Sequence, residues 1–136
     1  MRMTSRKAAS LTAVLTLTAV GANVNTYTTV TDAHAGMTIT VPNMGTEAFT
    51  TAKVTLAGTA VFQDYANAVV AAGGDASTNG AFGWFQFNGD TYLVESRHNG
   101  ATTPSFTNGT DFIIKLTGLY DLSTTTGGTT NILTLV

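Results

Sequence analysis

The sequence has no cysteine, only two prolines and few charged residues, and each shortage excludes a class of protein. Without cysteine, the chain has no disulfide framework, no thiolate zinc site and no cysteine nucleophile. Charged residues make up 10% of its 136 residues and hydrophobic residues 43%, a composition typical of one domain with a modest core. We therefore expect a single domain that folds without covalent cross-links.

Basic and catalytic residues are also scarce. After Ala35, three bases stand against seven acids, so the chain lacks the clustered Lys and Arg that bind nucleic acid. The two histidines, His34 and His98, have small or turn-forming neighbours, and no Gly-x-Ser-x-Gly, phosphate-loop or His-Glu-x-x-His motif is present. Four acids lie where turns and strand ends commonly place solvated carboxylates: Asp90, Glu95, Asp111 and Asp121. We predict neither nucleic-acid binding nor enzymatic activity.

Threonine and glycine are abundant, and they predict a mainly β fold. The chain has 28 threonines and 14 glycines, and β-branched residues favour strands while glycine favours tight turns. We expect a β-sandwich or a β-solenoid or β-roll-like module, with short strands at Thr26–Val30, Met37–Val41, Lys53–Ala57 and Asp111–Leu116. One α-helix is predicted near residues 60–72, capped by Thr59, with an apolar face formed by Phe62, Tyr65, Ala66, Val69 and Val70.

The strongest local pattern is FGWFQFNGDTYLVE, residues 82–95, which predicts a β-hairpin turned at Asn88-Gly89. A two-residue type I′ turn would place Phe85 opposite Tyr92. Apolar side chains then occupy both faces of the strand pair, so we expect the pair to lie in a sheet that is covered on both sides. The predicted hairpin core is Trp84, Phe85, Phe87, Asn88, Gly89, Tyr92 and Val94.

Residues 1–35 allow two interpretations. MRMTSRK followed by an apolar stretch, with Ala33-His34-Ala35 as a small-x-small cleavage site, is typical of a secretory signal peptide. The apolar stretch LTAVLTLTAV also alternates with threonine, as a half-buried strand would, which makes residues 1–35 the leading β-rungs of a truncated parent protein. Under either interpretation, residues 36–136 form a single β-rich domain.

Calcium is a candidate ligand, because glycine-rich turns supply the carboxylate and carbonyl oxygens that this cation prefers. The candidate metal ligands are Asp75 in GGDASTNG and Asp90 in FNGD. An aspartate at a turn more often hydrogen-bonds the backbone of that turn, and neither residue belongs to a calcium-binding nonapeptide array. We therefore predict no required cofactor.

Four segments, in order, carry a resemblance to a known family: VTLAGTAVFQDYANAVVAAGG, WFQFNGDTYLVE, FTNGTDFIIKLTGLYDLST and NILTLV. Together they resemble the C-terminal region of bacterial surface-layer (S-layer) proteins exported by type I secretion, those of Caulobacter being nearest. The resemblance covers about residues 35–136. It implies an uncleaved secretion signal that an ABC transporter complex reads, and a secreted cell-surface protein that assembles with copies of itself into a lattice.

By position, the family's penultimate strand and terminal tail match these export-signal candidates: Phe112, Ile113, Ile114, Leu116, Leu119, Ile132, Leu133, Leu135 and Val136. The chain departs from the family pattern in two ways, because no acid directly precedes the final apolar residues and no calcium-binding repeats are present. The signal-like N-terminus is also foreign to this export route, which favours a fragment or a truncated gene.

The sequence thus predicts a non-enzymatic extracellular structural domain for export and lattice assembly. One alternative is a Sec-exported surface-binding module or adhesin that contacts its ligand through loops 73–80 and 97–110. Another is an accessory domain of a secreted hydrolase.

Overall fold

In the computed structural model, the described residues are 12–13, 27–41, 49–72, 81–96, 105–127 and 132–136. They form a mainly β fold with one α-helix, as the composition predicts. The strands are β1 (Thr12–Ala13), β2 (Thr28–Val30), β3 (Thr38–Thr40), β4 (Ala81–Phe87), β5 (Asp90–Ser96), β6 (Phe112–Leu116), β7 (Thr126–Gly127) and β8 (Ile132–Thr134), and the helix is α1 (Phe62–Ala72).

The strands form two mixed four-stranded sheets. The first sheet has the order β2-β6-β5-β4, in which β2 runs parallel to β6 and the other neighbours are antiparallel. The second sheet has the order β1-β3-β8-β7, in which β1 runs parallel to β3 and the other neighbours are antiparallel. Two of these strands, β1 and β2, lie within residues 1–35, whose two interpretations stay predictions.

The main core lies between the two sheets. The first sheet contributes Trp84, Leu93 and Ile114 to one cluster of buried side chains, and the second sheet contributes Ile39 and Leu133 to the same cluster. Since successive side chains of a strand point to opposite faces, only alternate residues of each strand enter this cluster. The fold is therefore a β-sandwich, and this architecture decides between the two predicted alternatives.

Helix α1 covers the other face of the first sheet. Its buried residues Ala66, Val69 and Val70 pack in one cluster with Phe85 and Tyr92 of the hairpin. The predicted apolar helix face is confirmed, and the helix ends at Ala72, directly before the Gly73-Gly74 pair of the sequence. The domain thus has three layers, in the order helix, sheet, sheet.

An aromatic cluster fixes the start of α1 to the hairpin. The ring of Phe62 meets the rings of Phe85, Phe87 and Tyr92 edge-on, with centroids 5.3, 5.6 and 4.9 Å apart. Edge-to-face pairs of this kind stabilise by about 0.5–1.5 kcal/mol each beyond the burial of their surface. The first turn of the helix is therefore attached at a defined place on the sheet.

The hairpin formed by β4 and β5 has the predicted register, with Phe85 opposite Tyr92. Asn88 and Gly89 have φ angles of 49° and 86°, the left-handed conformations that a type I′ turn requires. The turn therefore forms at an asparagine and a glycine, the two residue types that tolerate positive φ best.

The predicted strand Lys53–Ala57 is wrong. Isolated bridges join this part of the chain to β4, at Phe49 with Phe82 and at Val54 with Phe85. The two bridges are five residues apart in this segment but only three residues apart in β4. The segment therefore bulges and forms no continuous ladder. It nevertheless covers the outer edge of β4, which would otherwise be open to pairing with another chain.

The predicted N-cap Thr59 is also wrong. Helix α1 begins at Phe62, so Val61 is the N-cap, and the Val61 N–H donates to Asp64 Oδ2 at 2.9 Å. An acid three residues after the cap satisfies that N–H and lies at the positive end of the helix dipole. The start of the helix is therefore marked by Asp64. The other predicted strands are confirmed, with ends shifted by one or two residues.

Replacing Gly83 by alanine should destabilise the domain, because the added Cβ would lie 2.9 Å from Val69 Cγ1. Valine is rotamerically stiff, so the helix must shift, at an expected cost of about 1–3 kcal/mol. Gly58→Ala is the matched control, since its Cβ would meet nothing within 4 Å. Urea denaturation measures both. Equal midpoints for the two variants would contradict the close helix–sheet packing.

Replacing Asn88-Gly89 by Val-Val should slow refolding, because both positions require positive φ and β-branched residues resist it. The expected loss is about 1–2 kcal/mol for each strained residue. Stopped-flow refolding from urea measures the rate, and the unfolding rate serves as the internal control. A change confined to the unfolding rate would show that the turn forms after the rate-limiting step.

Candidate functional site

The nine export-signal candidates lie in β6, in β8 and in the residues that follow these strands. Six of them are buried: Phe112, Ile113, Ile114, Leu116, Leu133 and Leu135. The others are exposed: Leu119 at 66%, Ile132 at 41% and Val136 at 63%. The structure thus divides the candidates into core positions and surface positions.

The residues of the apolar tail are held in the middle of the second sheet. Strand β8 pairs with β3 on one side and with β7 on the other. Beyond β8, the Leu135 N–H donates to Met37 O at 2.9 Å, and the Gly36 N–H donates to Leu135 O at 2.7 Å. The tail is therefore a structural strand of the folded domain.

The hairpin aromatic residues belong to the core. Trp84, Phe85, Tyr92 and Val94 are buried, Phe87 is half-buried, and the turn residues Asn88 and Gly89 are exposed. The indole N–H of Trp84 donates to Thr51 O at 2.8 Å, and the side chain is 2% exposed. A ring covered in this way has no free face on which a base or a sugar stacks.

Of the two calcium candidates, Asp90 lies among the described residues and Asp75 does not. His98 also lies outside them, whereas Asp90 is occupied by Lys115 and by the backbone of Gly118. Across the described ranges, no three His, Cys, Asp or Glu side chains form a group that could hold a metal ion. His34 is exposed, with Nδ1 2.7 Å from Asp32 O. Calcium binding stays a prediction.

Two of the four acids predicted to be solvated are buried. Glu95 is 2% exposed and lies on the β5 face toward the second sheet, between Phe82 and Phe112 in register. Asp111 is 5% exposed, and its Oδ2 accepts the Thr107 N–H at 2.7 Å. The prediction is wrong for these two, because strand alternation and turn closure direct both carboxylates inward.

An open depression lies beside the hairpin. It has a volume of about 420 Å³ and is lined by Lys53, Trp84, Gln86, Asp121 and Ser123. A second depression of about 150 Å³ shares Lys53 and Gln86 and is otherwise lined by Val54, Thr55 and Tyr65. We call the two depressions together the Lys53 groove.

Hydrogen bonds fix the polar side chains of the Lys53 groove. Lys53 Nζ donates to Gln86 Oε1 at 3.0 Å, and Gln86 Nε2 donates to Tyr120 O at 2.9 Å. Asp121 Oδ1 accepts the Ser123 N–H at 2.9 Å. Hydrogen bonds from Ser123 and the positive charge of Lys53 hold the pKa of Asp121 below its usual value. At neutral pH the groove therefore contains one ammonium group and one carboxylate.

Sequence patterns do not reveal this groove, because its residues come from segments about thirty residues apart along the chain. Lys53 is one of three bases after Ala35, and this scarcity is the signal in the sequence that could have singled it out. The spacing of the residues carries no motif, so their convergence depends on the tertiary fold.

No protein-family model matches the chain, and no curated protein matches it significantly. The resemblance to surface-layer proteins thus rests on the four sequence segments. Among the described residues, no helix is long enough and apolar enough to cross a membrane.

An ion pair joins the hairpin turn to β6. Lys115 Nζ lies 2.7 Å from Asp90 Oδ2, and the Gly118 N–H donates to Asp90 Oδ1 at 2.9 Å. The hydrogen bond from Lys115, followed by that from Gly118, lowers the pKa of Asp90, and the hydrogen bond to Asp90 raises the pKa of Lys115. Burial, followed by a hydrogen bond with Tyr27, raises the pKa of nearby Tyr92.

Asp90→Asn should flatten the acid limb of the stability profile. Because the folded pKa of Asp90 is depressed, its stabilisation is present above the ordinary carboxyl value of 3.8 and is lost as the pH falls through the folded value. The raised pKa of Lys115 gives a second contribution to stability. It is present below the ordinary lysine value of 10.5 and is lost as the pH rises through the folded pKa.

Midpoints of urea denaturation, taken from acid to alkaline pH, measure the stability of the domain on both limbs of this profile. Asparagine keeps an acceptor for the Gly118 N–H, so the change reports on the ion pair with Lys115. Lys115→Met should remove the same pH dependence, and the double variant should add little to either single variant. Additive effects of the two substitutions would contradict the pairing.

Proposed function

We propose that the chain is a non-enzymatic extracellular structural domain of the surface-layer type, which serves type I export and assembly with copies of itself. The observation that carries the proposal is the ordered resemblance of four segments. Under this proposal an ABC transporter complex is the export partner, the bacterial cell surface is the location, and calcium is an optional ligand.

The placement of the four segments supports the proposal. Helix α1, the hairpin, β6 and β8 come from four different resemblance segments, and they pack into two clusters that share the first sheet. A module that is inherited and exported as a unit needs its segments to stabilise one another. These segments do so, because none of them can bury its apolar face alone.

The burial of the tail adds a condition to export. Leu133 and Leu135 are 0% and 2% exposed, so a transporter cannot contact their side chains in the folded domain. If the tail is the export signal, it is read before the sandwich closes. The same apolar residues then serve recognition in the unfolded chain and packing in the folded one.

Surface features of the sandwich suit self-assembly. Strand β2 is one of the two edge strands of the first sheet, and the outer face of the second sheet carries Thr38, Thr40, Ile132 and Thr134. Neither feature contains a charged side chain among the described residues, so little electrostatic repulsion opposes contact between copies.

The export role is tested by changing the exposed tail residues, which the folded core does not need. A reporter fused to the N-terminus of the full chain, expressed with a type I transporter, should be secreted severalfold less when Leu119, Ile132 and Val136 are all replaced by serine. Deletion of Thr110 to Val136 should abolish export, but it also removes β6 and β8 from the core.

Val61→Ser is the matched control, since Val61 is an exposed apolar residue, at 58%, outside the tail. Melting temperatures of the purified variants report whether the fold is retained. Wild-type secretion of the triple serine variant, with its fold intact, would overturn the export role of these three residues, and wild-type secretion after deletion of Thr110 to Val136 would overturn that of the whole tail.

A further inference from the structure

The Lys53 groove has the size of a small-molecule site, and polar side chains make up most of the lining of its larger depression. Its larger depression, about 420 Å³, falls within the roughly 300–1,000 Å³ range of ligand pockets. Neither the export role nor the lattice role uses this groove, so a ligand bound there would be an addition to the proposed function.

The polar groups of the groove are held in place before any ligand arrives. Gln86 is bonded at both ends of its amide, to Lys53 through Oε1 and to Tyr120 O through Nε2. Lys53 Nζ has three N–H donors and gives one of them to Gln86, which leaves donors for a ligand. A side chain that is already ordered loses less conformational entropy on binding.

The charges of the groove select against simple ions. Lys53 Nζ and the Asp121 carboxylate both line the larger depression, and Lys53 acts on Asp121 through its charge. An anion placed there is attracted by Lys53 and repelled by Asp121, and the reverse holds for a cation. A neutral ligand with hydroxyl groups donates to the carboxylate and accepts from the ammonium group, so it satisfies both.

The smaller depression extends the groove with walls that are uncharged apart from Lys53. Val54, Thr55 and Tyr65 line it together with Lys53 and Gln86. Tyr65 is half-buried, and its ring stacks on Phe85 with centroids 5.2 Å apart. An apolar wall and a hydroxyl group beside a polar depression fit the next unit of a chain whose rings have C–H faces and hydroxyl edges.

We propose that the Lys53 groove binds a neutral carbohydrate of two or more sugar units. The sugar in the larger depression hydrogen-bonds Asp121, Lys53 and Ser123. The sugar in the smaller depression packs against Tyr65 and Val54. Gln86 lies between the two units.

The test uses the fluorescence of Trp84, the single tryptophan of the chain, which lines the larger depression. The full chain is titrated with maltotriose, cellotriose and the trisaccharide of N-acetylglucosamine. At least one should give a saturable change, with a Kd on the order of 1 mM. Sodium phosphate and glycine, as an anion and a zwitterion, should give none.

Two variants locate the binding. Asp121→Asn and Gln86→Leu should each weaken it about tenfold, because the first exchanges a charged acceptor for an amide donor and the second removes the hydrogen bond that orders Lys53. Asp121→Asn keeps an acceptor for the Ser123 N–H, so it guards against a loss of binding through misfolding. Thr110→Ala is the matched control, at an exposed turn before β6 and so at the opposite end of the first sheet.

Three results would overturn the proposal. The first is no saturable change with any of the three trisaccharides. The second is a saturable response to phosphate or glycine. The third is equal affinity in the wild type and in folded Asp121→Asn and Gln86→Leu proteins.

Discussion

Burial of both faces of the hairpin is the constraint on which the rest of the structure depends. Phe85 and Tyr92 face the helix, and Trp84 and Leu93 face the second sheet, so the pair is stable only when both layers are present. A slip of one residue in the register of a strand would turn its helix-facing side chains toward the second sheet, and the reverse. The turn at Asn88-Gly89 lies at the surface, but it sets the register that decides which hairpin residues face the helix and which face the second sheet.

Local patterns were predictable from the sequence, and pairings between distant segments were not. The hairpin and α1 were found because turn chemistry and a 3.6-residue period act within a few residues. The segment Lys53–Ala57 reads as a strand, but its pairing with β4 allows only bridges, and no local feature encodes that mismatch. Glu95 looked like a solvated acid, since the sequence does not show which face of β5 is covered. The Lys53 groove depends on three distant segments and has no local pattern at all.

The surface-layer proposal and the carbohydrate proposal use different parts of the molecule. The export candidates lie within residues 112–119 and 132–136, whereas the Lys53 groove lies beside the outer edge of β4 and takes Asp121 and Ser123 from the segment between those two ranges. A carbohydrate site would serve a surface-layer domain that contacts a glycan coat, and it would equally serve a binding module exported by another route. The two proposals therefore stand or fall separately. The groove is also distinct from loops 73–80 and 97–110 of the binding-module alternative, of which residues 73–80 and 97–104 lie outside the described residues.

The sheets differ in the length of their strands, and this difference has a consequence for local opening. β4 and β5 have seven residues each and are joined by a tight turn, whereas the strands of the second sheet have two or three residues and come from opposite ends of the described chain. Backbone hydrogen bonds in short strands of high sequence separation are the first to open. We therefore expect the second sheet to be the less stable foldon, with amide protons that exchange with solvent before those of the hairpin.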